Sequence, residues 1–148
     1  MTRTRSDNTA RRPVGTTRPK ATGQTFRVTD PLEQVRALCL ALPEVTERLS
    51  HGAPSFFVRG KRTFVMYMDR HHGDGRLAIW CPAPPGVQAT LVDEEPARFF
   101  VPPYVGGRGW LGVRLDVDVD WDEMAGIVED AYREVAPKRL VAHLDGPG

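Results

Sequence analysis

Four stretches of the chain hold side chains whose types and spacing could do chemistry. The first is "FFVPPYVGGRGWLGVRL", Phe99 to Leu115, where two prolines and four glycines surround Arg108 and Trp110. Prolines stiff enough to fix the backbone, with glycines that permit positive φ, hold this arginine and this tryptophan at the mouth of a strand. An arginine and an aromatic ring held rigidly can grip an anion, a base or a partner's carboxylate; the same arginine can equally lock the turn by pairing with an internal acid. A phosphate-cradling P-loop is excluded, because the glycines run into a strand rather than a helix and no Lys-Ser/Thr follows.

The second stretch, "VRGKRTF", carries Arg59, Lys61 and Arg62 on a hairpin tip. A protruding β-ribbon with three cations can straddle a phosphate backbone, and an ordinary solvated tip has the same composition. The third, "SHGAPSF", puts His51 just before a strand, where it is either a ligand contact or a structural residue. In the fourth, "DVDVDWDE", the acids Asp116, Asp118 and Asp120 superficially match a calcium loop. That pattern then needs Gly at its sixth position and Glu at its twelfth, where this chain has Trp121 and Ile127, so the acids read as a strand end and a helix start. His71 and His72 adjoin in a turn, where neighbouring side chains diverge, and metal sites need three or four convergent ligands. No Ser/His/Asp or Cys/His arrangement follows from spacing, and no cofactor or metal is expected.

The elements that must position these residues are legible on both sides of them. "TDPLEQVRALCLALPEV" has an N-cap at Asp30, Pro31 as first helical residue and Glu33 completing a capping box; Leu32, Val35, Leu38, Cys39 and Leu42 recur at helical spacing until Pro43. Three β-rich runs follow, Ser55–Val58, Thr63–Asp69 and Arg76–Trp80, separated by "RGKR" and "RHHGDG", an antiparallel meander. A short helix from about Gly86 to Asp93 comes next, then a strand ending near Val101 and, after the glycine loop, a last strand in "GWLGVRLDV". Asp120 then caps a long helix whose Trp121, Met124, Val128, Ala131, Tyr132 and Val135 form one stripe against the sheet; Pro137 breaks it and starts a final helix. The pattern predicts a single α+β domain, an antiparallel sheet with helices packed on one face.

Charge divides the chain in two. Residues 1–27 hold seven basic side chains against one acid, Asp7, a balance of +6. Residues 28–148 hold 13 basic against 18 acidic side chains, a balance of −5. The first segment has almost nothing apolar and is expected to be a disordered basic tail, with the folded domain over 28–145. A flexible +6 arm is expected to supply most of any non-specific attraction to nucleic acid. Cys39 and Cys81 lie 42 positions apart with no metal-ligand spacing. Both read as interior thiols in a reducing cytoplasm. No apolar run approaches the ~20 residues of a membrane span, so a soluble, cytoplasmic protein is expected. Nothing in the spacing specifies an oligomer.

The segments "LPEVTERLSHGAPSFFVRGKRTFVMY", "FFVPPYVGGRGWLGVRLD" and "DWDEMAGIVEDAYREVAPKRL" together resemble the MmcQ/YjbR family of small bacterial proteins. Its most specific words here are "LPEV", "HGAPSF", "GGRGW" and "YREVAPKRL", spread over roughly residues 30–142. The resemblance implies a CyaY-like fold and, through likeness to double-wing nucleic-acid folds, a DNA-binding protein with the wing at Arg59, Lys61 and Arg62. The alternative, from another class, is a protein- or small-anion-binding module using His51 and the Arg108/Trp110 loop, in which DNA plays no part.

Overall fold

The computed structural model describes residues 30–69 and 76–146. The basic tail and the His71–His72 turn lie outside the described residues. The chain divides into two units, Met1–Gln34 and Val35–Gly148, of which the first is described only over Asp30–Gln34. There Asp30 caps the opening turn of helix α1 (Pro31–Leu40), its Oδ1 accepting from the Leu32 amide at 3.0 Å.

The second unit is built on a six-stranded sheet, formed by β1 (Val45–Ser50), β2 (Ala53–Val58), β3 (Arg62–Asp69), β4 (Leu77–Cys81), β5 (Phe99–Phe100) and β6 (Leu111–Arg114). Their order is β1-β2-β3-β4-β6-β5, and all pairs are antiparallel. Helix α2 (Val87–Glu94) connects β4 to β5; α3 (Trp121–Val135) and α4 (Lys138–Leu144) close the chain. The fold is α+β, as the sequence pattern predicts.

Alternation along the strands sends Tyr67, Ile79, Cys81, Leu111, Val113 and Phe99 to one face of the sheet, where all are buried. Helix α3 lies on that face. Tyr132 is fully buried, its ring meets Phe64 edge-on with centroids 5.6 Å apart, and its hydroxyl donates to the Pro43 carbonyl at 2.8 Å. Cys39 of α1 is fully buried, and Arg36 one turn back grips Glu47 of β1 through two guanidinium nitrogens. The opposite face carries Met66, Met68, Ala78, Trp80, Gly112 and Phe100. Gly112 is glycine because the Phe100 ring lies across it; a Cβ there would meet ring carbons at 2.5 Å.

The sequence reading needs three amendments. Strand β1 was not expected: "VTERLS" mixes Glu47 and Arg48 with Val45 and Leu49, which suits a charged edge strand but masks its alternation. The strand at "ARFFVPP" is only Phe99–Phe100, since Val101 turns out to solvent and Pro102 and Pro103 have no amide to donate. The α3 stripe is narrower than expected: Met124, Val128, Ala131 and Tyr132 are buried, whereas Trp121 and Val135 are only half-buried. Trp121 sits directly after the Asp120 cap, whose carboxylate accepts from the Asp122 and Glu123 amides, at the open end of the helix.

Candidate functional site

Two hairpin turns and one loop bring the predicted residues to the sheet face that the long helix leaves bare. His51 and Gly52 link β1 to β2 with φ of 51° and 81°. Ser50 pairs directly with Ala53, so this is a two-residue hairpin loop with both central residues left-handed, the arrangement whose twist matches that of the strands. Between β2 and β3 Val58 pairs with Arg62, so three residues make the connection, of which Arg59 and Gly60 are again left-handed, with φ of 56° and 68°, and the Lys61 amide donates to the Val58 carbonyl at 3.0 Å. The register shift between Phe56 and Phe57 lies in the strand that leads to this turn.

The glycine loop is a short 3-10 turn, Gly106–Arg108, closed by Gly109 at φ 84°. Gly106 is glycine because a Cβ would collide with the Val101 side chain. From α2, the Gln88 amide group donates to the Gly106 carbonyl at 2.8 Å and the Trp110 carbonyl at 2.6 Å, which pins both ends of the segment bearing Arg108. The loop is therefore anchored to a helix rather than hanging free.

These pieces enclose an open cleft of about 960 Å³. Lys61, Arg62 and Thr63 line it at one end of β3, and His51 with Ser50 at the other; Arg108 and Tyr104 come from the loops, and Glu134 and Val135 from the last turn of α3. Its floor is apolar and aromatic: Met66, Met68, Trp80 and Trp110, a cluster in which Trp110 is only 6% exposed. The arginine of the glycine loop lies over the Trp110 ring, 5.4 Å from its centroid. Among the described residues, no acid lies within salt-bridge distance of Lys61, Arg62 or Arg108, all exposed. The lock between Arg108 and an internal acid, one of two readings of the loop, does not occur among the described residues.

Five of the six sequence-selected residues thus meet: His51, Lys61, Arg62, Arg108 and Trp110 share one cleft although up to 59 positions separate them. Arg59 does not join them. Its guanidinium donates to Glu44 at 3.0 Å and its amide to the Glu44 carbonyl at 2.9 Å, which ties the hairpin back to the start of β1. Sequence reasoning missed Met66, Met68, Trp80, Tyr104 and Glu134. The period-two spacing of Met66 and Met68 was a usable signal for a second sheet face; Glu134 carried none, because it falls among helix-surface charges. Among the described residues, no group of three or more His, Cys, Asp or Glu side chains gathers as a metal site.

Both thiols lie away from this chemistry. Burial, reinforced by the nearby Asp130 carboxylate, pushes the Cys81 thiol up to about 12, and burial raises the Cys39 thiol as well. Neither is a nucleophile at neutral pH. No described helix is long and apolar enough to cross a membrane.

A family model described as YjbR matches residues 40–134, a span that includes β1 through most of α3 and the whole cleft lining except Val135. The crystal structure of Deinococcus radiodurans protein DR2400, which has a DUF419 domain, is similar with a TM-score of 0.62, covering 78% of this chain and 88% of that one. At 18% sequence identity that likeness concerns the fold. No curated protein matches the chain.

Proposed function

The chain belongs to the YjbR family, and we propose that this member is a nucleic-acid-binding module, weakly sequence-selective, whose contact surface is the cleft on the bare face of the sheet. The supporting observation is the convergence of Lys61, Arg62 and Arg108 on one recess with no acidic partner among the described residues. Exposed cations that no carboxylate neutralises are those best able to release counterions from a phosphate backbone. Lys61 and Arg62 contribute point charge and a planar fork, and Arg108 approaches from the opposite loop across the aromatic floor. The −5 balance of residues 28–148 is left intact by the ion pairs, each of which uses a base with its acid. The reading rests instead on the local setting, where Lys61, Arg62 and Arg108 are exposed with no acid within salt-bridge distance among the described residues. The +6 balance of residues 1–27 adds a second source of attraction, and the buried free thiols suit a cytoplasmic setting.

A second reading is favoured by the shape of the recess. A volume of about 960 Å³ lies within the usual range of small-molecule pockets, and Glu134 gives it one acceptor among the cations. A small anion with a planar group, or a partner's carboxylate, would use His51, Arg108 and Trp110 in the same way. Fluorescence anisotropy with labelled DNA and RNA, repeated in the presence of a panel of anionic metabolites, separates the two. Oligonucleotide binding that metabolites do not displace supports the first reading; tight metabolite binding with no oligonucleotide signal replaces it with the second.

A further inference from the structure

We infer that the outer edge of β1 is a self-pairing surface: two copies of the chain join β1 to β1 antiparallel, about a two-fold axis at Glu47, into one continuous sheet. β1 stands at the end of the strand order, and among the described residues no strand pairs with its outer side. The direction of its remaining hydrogen-bonding groups follows from the register. The Arg59 amide donates to the Glu44 carbonyl at 2.9 Å, so Glu44 and Arg59 form a hydrogen-bonded pair, and such pairs alternate along an antiparallel ladder. Thr46, Arg48 and Ser50 therefore bond inward to Phe57, Ser55 and Ala53, whereas the amides and carbonyls of Val45, Glu47 and Leu49 turn outward. Pro54 opposite Leu49 fits this parity, because no bond to β1 is required of its nitrogen there.

Natural sheets usually blunt such an edge with charges, proline or a bulge. The two charges of β1 are instead drawn back onto their own chain. Glu47 is held by Arg36, and the Arg48 guanidinium lies 3.6 Å from the centroid of the Phe57 ring and donates to the Gly60 carbonyl. β1 contains no proline, and its register with β2 is unbroken. Leu49 is left 70% exposed, and Leu40, one helical turn beyond Arg36 on α1, is 47% exposed. Apolar surface thus flanks the Arg36–Glu47 pair along the open edge.

The occupant that matches this edge is a second copy. Outward groups must meet outward groups, and an axis at Glu47 pairs all three such residues: Val45 of one protomer with Leu49 of the other, Glu47 with Glu47, and Leu49 with Val45. Moving the axis to Thr46 or Arg48 sets Pro43 or His51 opposite an outward group, and neither belongs to a strand. In the chosen register each exposed Leu49 packs on a Val45, and Arg48 faces Thr46 on the other side of the sheet. The opposed Glu47 carboxylates would repel if bare, but each already carries an Arg36 guanidinium. An axis perpendicular to the sheet leaves the clefts of both copies on the same side. So few outward residues make a small interface, hence a dimer whose population depends on concentration.

Sedimentation equilibrium of the full chain over a range of concentrations, together with amide hydrogen exchange, tests this. The native chain should show a monomer–dimer equilibrium. Exchange at Val45, Glu47 and Leu49 should slow as concentration rises, while Thr46 and Arg48 stay protected throughout by β2. Leu49→Lys sets a charge at the seam in place of an exposed apolar group; Leu49→Pro removes an outward amide and spares every bond to β2. Each should raise the dimer dissociation constant roughly tenfold or more, because the contact is lost twice per dimer, with circular dichroism unchanged. A monomer at every concentration, or a dimer that Leu49→Lys leaves unaltered, overturns the inference. Protection of the three outward amides in the monomer also overturns it, because the chain would then be covering its own edge.

Discussion

The two faces of the sheet differ in how some of their cations are partnered, although on the bare face Arg114, in register with Ala78, pairs with Asp116, and Phe100 lies under the Arg76 guanidinium. On the helix-covered side, arginines are matched: Arg36 to Glu47, Arg133 to Glu129 and Asp145, and Arg98 to Glu95 and Glu123. Aromatic rings there are sealed, Phe64 against Tyr132 and Phe99 under the Arg98 guanidinium. On the bare side, Lys61, Arg62 and Arg108 are exposed with no acid within salt-bridge distance among the described residues, although Glu134 lines the same cleft, and Met68, Trp80 and Trp110 beneath them are themselves buried. Local satisfaction of charge, rather than the balance of the whole domain, therefore decides where an anion would be received.

Substitutions on the two sides should break this comparison cleanly if it is wrong. The largest effect belongs to the covered face. Tyr132→Ala removes a fully buried ring, its edge-on contact with Phe64 and the hydrogen bond to Pro43, and should cost about 3–5 kcal/mol in denaturant unfolding. Half-buried Trp121, at the mouth of α3, should cost clearly less when cut to Ala, where helical spacing alone would have predicted a similar loss. Equal losses at the two positions would mean that the α3 stripe does extend to its first residue.

A smaller, pH-dependent effect comes from the thiols of the same face. The Cys81 thiol is held neutral up to about 12 when folded, against its ordinary 9.0, and Cys39 is shifted in the same direction, both chiefly by burial. The unfolded chain therefore releases these protons first as pH rises. Their contribution is fully present below pH 9.0 and declines as pH rises from there towards the folded value. Thiol titration should accordingly detect no reactive cysteine in the native protein at pH 8 and two after unfolding; a fast-reacting native thiol would place one of them at the surface.

The smallest effect on stability is expected across the sheet. Arg108→Ala deletes an exposed guanidinium with no acid partner among the described residues and should leave the melting temperature nearly unchanged while weakening oligonucleotide binding. A large drop in melting temperature would show that the stacking of Arg108 over Trp110 holds the loop together.

Much of this division was legible in the sequence, for identifiable reasons. Asp30 and Asp120 announce their helices because their caps are local chemistry, and Met124, Val128 and Tyr132 announce a buried stripe through spacing. The turns at His51–Gly52 and Arg59–Gly60 combine a tolerated left-handed residue with glycine, so the strands between them are well marked. What spacing could not convey was convergence. Lys61, Arg108 and His51 come to line one cleft only through antiparallel register, and Arg59, identical in type to Arg62, is removed from the group by Glu44, 15 residues earlier. Tyr104 was hidden for a related reason: its exposure depends on a strained turn that prolines and glycines permit but do not dictate.

The central claim, that unpaired cations on the bare face receive a phosphate backbone, is tested most directly by salt-dependent anisotropy of the full chain with oligo-dT, comparing the native protein with Lys61→Gln/Arg62→Gln. Each phosphate contact on a single strand contributes about 0.7 to the slope of log K against log salt, so the double variant should bind more weakly and show a slope shallower by about 1.4, with an unchanged melting temperature. An identical slope and affinity in the two proteins would contradict the claim and assign the binding to the basic tail of residues 1–27.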